Sequence, residues 1–442
     1  MIKANNLALH YFLPVCISLV VLLIVDRTSV LSYGHTLLLL LLISRYLLDK
    51  EELGRNFLYF HYYLLFAVSF FCIFRYQDPL YLGLTGPEGG VGTDDVRFYA
   101  QIVHGKDIFY LMKVSVTRIY SFSKFLIFLY PYEVHTPLNI VIINLLGVCF
   151  IPYFIRKLSF ELFHDQMLSD RAATLALLCP YTTYFGCIIM RDLFTATFVI
   201  SAMYYFMKKQ YIPVAIMIFL LFRIRFGTIA FLAMGIMAII RKDIAIKHKK
   251  IGLYNAMMVF FILVFYFAYD YIQELSDGKL SDNLIRNTNG GFFRGTTIAT
   301  LISLPFPINI AACALFFFFV PLFTIPQPSP ITDYYLVSTV FCSFLTPFFM
   351  FFLWYYIFNA IFSYFSKKDR NLETLLVIVL SFCFVLGTVS LQIRHKTVLF
   401  PFLCMLAAYG MTKFNKHEKN NSFAITAAFI VIQLVLAIKA IV

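Results

Sequence analysis

Apolar runs of roughly 11 to 28 residues recur from the first ten residues to the end of the chain, and about 20 such residues is the length at which an α-helix crosses a bilayer. The runs lie at about 7–25, 29–48, 57–74, 137–155, 171–189, 193–207, 212–222, 226–240, 251–272, 308–325, 335–362, 372–391, 397–412 and 423–441. The expected fold is therefore all-α: a polytopic integral membrane protein of roughly 12–14 transmembrane helices, in a single domain over 1–442. The first run reads as a retained span and not as a cleaved signal peptide, because the apolar pattern continues behind it.

Composition agrees with this reading. Hydrophobic residues make up 61% of the chain and charged residues 13%, with a mean hydropathy of +0.81, which excludes a water-soluble globular protein. The net charge of +13 would point to nucleic acid in a soluble chain. In a membrane chain it must first be divided between two faces, and no nucleic-acid partner is expected. The nine cysteines all sit inside apolar segments, with no CxxC pair and no disulfide framework. No P-loop, dinucleotide fingerprint, HExxH or serine-hydrolase elbow is present, and neither a cofactor nor a metal site is expected.

Lysine and arginine in the short connections set the orientation. With the N-terminus, 45–56, 156–171, 208–211, 241–250, 367–370 and 413–419 inside, more than half of the 36 basic residues face the cytoplasm. The turns 190–192, 223–225 and 392–396 then fall outside, together with two longer loops at about 75–136 and 273–307. Two apolar runs separate the second loop from the internal Lys367-Lys368-Asp369-Arg370, where an odd number of crossings is required. One of 297–325 and 335–362 is therefore expected to be re-entrant, with Pro305, Pro307, Pro321 and Pro347 among the places where it can break.

The three external turns are the chemically informative sites: Met190-Arg191-Asp192, Arg223-Ile224-Arg225 and Arg394-His395-Lys396. An arginine near a bilayer persists where it has a partner or a task. Arg191 and Asp192 read either as a self-neutralising turn or as part of an anion site. Arg223 and Arg225 have no adjacent acid, and two guanidinium groups so close together repel unless an anion lies near them. Arg394, His395 and Lys396 read either as headgroup anchors or as a pyrophosphate site in which His395, with a reference pKa near neutrality, moves a proton. In the first external loop, Gly92-Thr93-Asp94-Asp95-Val96-Arg97 either caps a helix or supplies a carboxylate, Asp94 or Asp95, that accepts a proton from an acceptor hydroxyl or coordinates a metal, while Arg97 orients it or touches a phosphate. The second loop, with Asp277, Lys279, Asp282, Arg286, Asn287, Asn289 and Arg294, reads as a solvated loop or as an acceptor-binding surface.

On Met190-Arg191-Asp192-Leu193, on Arg394-His395-Lys396 followed by Leu399-Phe400-Pro401-Phe402, and on Gly92-Thr93-Asp94-Asp95, the chain resembles the bacterial O-antigen or oligosaccharide repeat-unit polymerases of the Wzy type. More loosely it resembles polytopic glycosyltransferases that use polyprenyl-linked donors. The likeness in layout covers most of the chain. It implies an enzyme of the bacterial inner membrane that transfers a growing glycan from undecaprenyl pyrophosphate to an incoming repeat unit on the periplasmic face, in O-antigen or other polysaccharide biosynthesis. It also implies partners in the bilayer, such as a chain-length regulator. The family's Arg-x10-Gly spacing is met by Arg75 and Gly86 but not by Arg286 or Arg294, and that motif is not carried over. On this reading Arg191, Arg223, Arg225, Arg394 and Lys396 neutralise the departing pyrophosphate, Asp94 or Asp95 activates the acceptor, and His395 assists. The competing readings are a polyprenyl-phosphate-sugar transferase adding one sugar, and a lipid-linked oligosaccharide flippase, which should carry charges near mid-membrane and often repeated halves.

Overall fold

A computed structural model describes residues 4–47, 50–77, 94–105, 121–248, 252, 301, 304–305, 308–319, 344–389, 393–413 and 419–439. The expected span at 251–272, apart from Gly252, and most of the loop at 273–307 lie outside the described residues, as does the choice of a re-entrant segment. Among the described residues there is no strand, and the all-α expectation holds. The helices are α1 (Ala4–Val25), α2 (Ser29–Leu47), α3 (Lys50–Gln77), α4 (Asp94–His104), α5 (Ser121–Leu129), α6 (Pro137–Phe163), α7 (Gln166–Leu178) and α8 (Pro180–Gly186). They continue with α9 (Asp192–Met207), α10 (Tyr211–Ile224), α11 (Ile229–His248), α12 (Ile308–Phe319), α13 (Thr346–Lys367), α14 (Arg370–Val389), α15 (Phe400–Thr412) and α16 (Lys419–Lys439).

The axis of the fold is α6. Its start is fixed by Pro137 in the first turn, where a missing N–H costs nothing, and by Asn139, whose side chain accepts from the N–H groups of His135 (2.8 Å) and Thr136 (3.1 Å). It ends at His164 in the left-handed region, φ 51°, and Asp165 then caps α7 by accepting from the Leu168 N–H at 3.1 Å. The most apolar 18-residue window of α6 is wholly buried inside the protein. Helices α2, α3, α7 and α9 surround it, while α15 links α7 to α13. At Gly147 of α6 an added Cβ would stand 2.9 Å from the Phe194 ring, and the Thr197 hydroxyl donates to the Gly147 carbonyl. Absence of a side chain at Gly147 is what lets α9 lie this close.

Two sequence expectations change. The run at 171–189 is not one helix but two, α7 and α8, because Pro180 brings no N–H and forces Cys179 out of the helical region to ψ 114°. The first external loop, expected over 75–136, contains two helices, α4 and α5. Of the described helices, α6 and α13 are long and apolar enough to cross a membrane, while α9 and α10 are apolar but shorter.

Charge is sorted to the two ends of the bundle. At the end where α6 finishes, Arg156 meets Glu52 and Asp170 (2.5 Å), Lys208 meets Glu161 (2.5 Å), Arg241 meets Glu373 (2.5 Å) and Lys413 meets Asp165 (2.7 Å). At the end where α6 begins, Asp26 in the α1–α2 turn collects hydroxyl donors from Thr28 (2.7 Å), Ser29 (2.6 Å) and Thr136 (2.6 Å), and Asn139 donates to Ser29 at 2.9 Å. Burial alone would raise the Asp26 carboxyl, but these donors outweigh it and hold the group below its ordinary value.

Candidate functional site

The turns at 190–192 and 223–225 meet at the Asp26 end. Asp192 opens α9 with its carboxylate almost fully buried, where a negative charge also complements the helix N-terminus. Its partner is not its neighbour Arg191 but Arg225, which caps α10 from the second turn. This corrects the self-neutralising reading of the first turn and supplies the acid that the second turn lacks in sequence. Arg191 and Asp192 do not neutralise one another, and Arg225 is not a free cation, because the fold supplies an acid 33 positions away.

Arg191 is thereby released to act elsewhere. It donates to the carbonyl of Ile224, the last residue of α10, at 3.5 Å, and its guanidinium lies 5.9 Å from the centre of the Phe98 ring. Phe98 belongs to α4 and packs edge-on against Phe122 of α5, with ring centres 4.9 Å apart. The Ser123 hydroxyl donates to Gln101 at 2.9 Å, so apolar and polar contacts together fasten α4 to α5. Tyr99 of the same helix lies close enough to Asp26 to feel its charge. Burial, with that carboxylate adding, pushes the Tyr99 phenol up to about 12.

Asp94, Asp95 and Arg97 form the first turn of α4, and the backbone positions of the two acids lie one helical turn before Phe98. The structure therefore brings the Asp94-Asp95 segment into the neighbourhood of Arg191. The side chains of Asp94, Asp95 and Arg97 are outside the described residues.

Arg223 points the other way from Arg225. It is exposed and lines a cleft of about 200 Å³ with Ser121, Lys124 and Phe125 of α5 and Phe219 and Leu220 of α10. Neither Arg191, Arg223 nor Lys124 has a carboxylate within ion-pair distance among the described residues. Arg191, Arg223 and Lys124 are thus a local group of cations that an anionic ligand can balance.

The third turn behaves differently from the expectation. Ile393–Val398 is a 3₁₀ segment that packs against α9, so it joins the same neighbourhood. Lys396 within it does not face outward: it is fully buried, donates to the Phe318 carbonyl of α12 at 2.9 Å and lies 5.2 Å from the Phe400 ring centre. A buried ammonium needs such a partner, and Lys396 accordingly ties α12 to the start of α15. The side chains of Arg394 and His395 are outside the described residues.

Sequence reasoning missed Lys124, Phe98 and the Asp26 cluster. Asp26-Arg27-Thr28-Ser29 between two apolar runs is a turn and cap signal, while Lys124 is a single charge in a short apolar run inside the expected first loop. Comparisons of the chain with protein-family models, curated proteins and solved structures found no match.

Proposed function

We propose that the chain is a polytopic glycosyltransferase of the bacterial inner membrane that polymerises undecaprenyl-pyrophosphate-linked oligosaccharide repeat units on the external face. The membrane part of this reading is supported by the spacing of the two polar ends. Asn139 and Glu161 on α6 are separated by about 33 Å of helical rise, close to the ~30 Å hydrocarbon thickness of a bilayer. Large apolar side chains also stand exposed around the bundle, among them Phe128, Ile212, Phe219, Phe365 and Phe423. The choice of a glycan substrate comes from the family resemblance alone.

The observation that carries the site is the unbalanced cationic group Arg191, Arg223 and Lys124 beside the helix that begins Asp94-Asp95. In the proposed reaction a hydroxyl of the incoming repeat unit attacks the anomeric carbon of the donor glycan. The carbon–oxygen bond to the pyrophosphate breaks, its electron pair leaves with the pyrophosphate, and the hydroxyl proton passes to Asp94 or Asp95. Arg191 and Arg223, with Arg394, stabilise the negative charge that develops on the leaving group, an effect that grows toward the transition state. Arg225 holds the two turns together through Asp192, and Lys396 is a core residue. His395 remains the proposed accessory proton carrier and Arg97 the proposed phosphate contact.

The test is the glycan made by cells carrying Arg191→Ala or Arg223→Ala, with the amount of protein checked in parallel. The proposal expects the long-chain ladder to collapse to single repeat units that still reach the outer surface. Normal ladders from both variants would refute it. A product that never exceeds one sugar even in the unmodified protein would favour simple transfer, and repeats retained inside the cell in a knockout would favour a flippase.

A further inference from the structure

At the opposite end from this site, α7, α13 and α15 enclose an open groove of about 650 Å³. Its length follows from the helices that line it. Gln166 and Arg171 lie near the start of α7, and the Arg171 guanidinium donates to the Thr412 hydroxyl at the end of α15, 3.3 Å away. Leu175, one turn further along α7, and Phe352 of α13, which is 53% exposed, also line the groove. Phe352 sits one turn before Tyr356, whose carbonyl faces Gly410 of α15. The lining thus combines polar groups, Arg171 among them, with the apolar side chains of Leu175, Phe352 and Met411.

The charge of Arg171 is not neutralised. Asp170 also lines the groove, but its carboxylate is taken by Arg156 (2.5 Å), Arg55 (3.0 Å) and Gln166 (3.1 Å). Glu52 is shared between Arg156 and Lys157. Arg171 has no carboxylate within ion-pair distance among the described residues, and most of its five N–H donors are left over after the Thr412 contact. Arg171 is thus the cation of the described lining, and the acid beside it, Asp170, is already held by Arg156 and Arg55.

We propose that this groove binds one phospholipid with an anionic headgroup. Its phosphate sits at Arg171 and its acyl chain lies along Leu175, Phe352 and Met411. The size suits a single amphiphile. A basic pocket between helices at the cytoplasmic level is where anionic lipids of that leaflet bind, and the orientation read from the basic loops puts this end of the bundle there. The site lies at the other end of α6 from the cationic group discussed above and does not depend on the glycan reaction. It rests only on the membrane part of the proposed function.

The chain's one tryptophan, Trp354, makes a direct test available. In full-length protein carrying Trp354→Phe and Phe352→Trp, the sole tryptophan, excited selectively over the tyrosines, lies in the groove. It is reconstituted in phosphatidylcholine containing brominated phosphatidylglycerol or, at the same mole fraction, brominated phosphatidylcholine. The expected result is quenching at about fivefold lower content of the anionic lipid, with Arg171→Gln reducing it to the zwitterionic level. Equal quenching by both lipids, or a preference that survives Arg171→Gln, overturns the lipid site and leaves the membrane reading standing. No quenching by either overturns both. Native mass spectrometry of the protein with its natural tryptophan gives a second readout: anionic lipid should be retained over zwitterionic lipid and lost in Arg171→Gln, and equal retention overturns the site.

Discussion

Arg225, at the end of α10, reaches across to Asp192, the first residue of α9, and the carboxylate that receives it is only 2% exposed. Removing one member of such a pair leaves a buried charge with its partner gone, at a cost of about 3 kcal/mol. Arg225→Ala should therefore lower the thermal midpoint markedly. The double variant with Asp192→Asn should recover part of the loss, because the orphaned charge is gone. Additive losses in the double-mutant cycle would show that the two residues act independently.

Arg223, only two residues before Arg225, should behave in the opposite way. It is exposed and lines the cleft with Lys124, so Arg223→Ala should change stability by no more than about 0.5 kcal/mol. Its loss should instead shorten the glycan ladder. Measuring melting and product length on the same pair of variants separates a cation that binds from one that holds the fold.

That contrast shows how far the sequence could be read. The all-α character was legible because helical apolar runs are long and local, and the breaks at Asp26, Arg191 and Arg223 marked where helices end. Even the splitting of 171–189 had a visible cause in Pro180. Partnerships across the chain were not legible. Asp192 choosing Arg225 over Arg191, and Lys396 turning inward to the Phe318 carbonyl, depend on which helices become neighbours. A lysine that follows an arginine and a histidine reads as exposed in sequence, and only packing reveals that it is enclosed. Short α5 was missed because nine residues carry too little periodicity to stand out from a loop.

The Asp26 cluster should make the protein sensitive to acid. The folded carboxyl lies below its unfolded value because Ser29, Thr136 and Thr28 donate to the charged form, although burial opposes them. A group depressed in this way contributes stability that is fully present above the unfolded value, near pH 4, and is lost as pH falls through the folded one. Asp26→Asn should thus melt below the unmodified protein at neutral pH, and the gap between them should close as the pH drops below about 4. A gap that stays constant down to the acid limit would rule out ionisation of Asp26 as the source.

The seam between α13 and α15 should tolerate almost no added volume at Gly410. A Cβ there would strike the Tyr356 carbonyl, a backbone atom that cannot swing aside as a side chain could. Gly410→Ala should therefore cost about 1–3 kcal/mol through overpacking, although alanine is the better helix former at an interior position. Gly34 provides the control. It also lies within a helix, yet nothing stands within 4 Å of its added Cβ, so Gly34→Ala should melt at or above the unmodified protein. If both substitutions raised the melting midpoint equally, close approach of α15 to α13 would not be what fixes glycine at position 410.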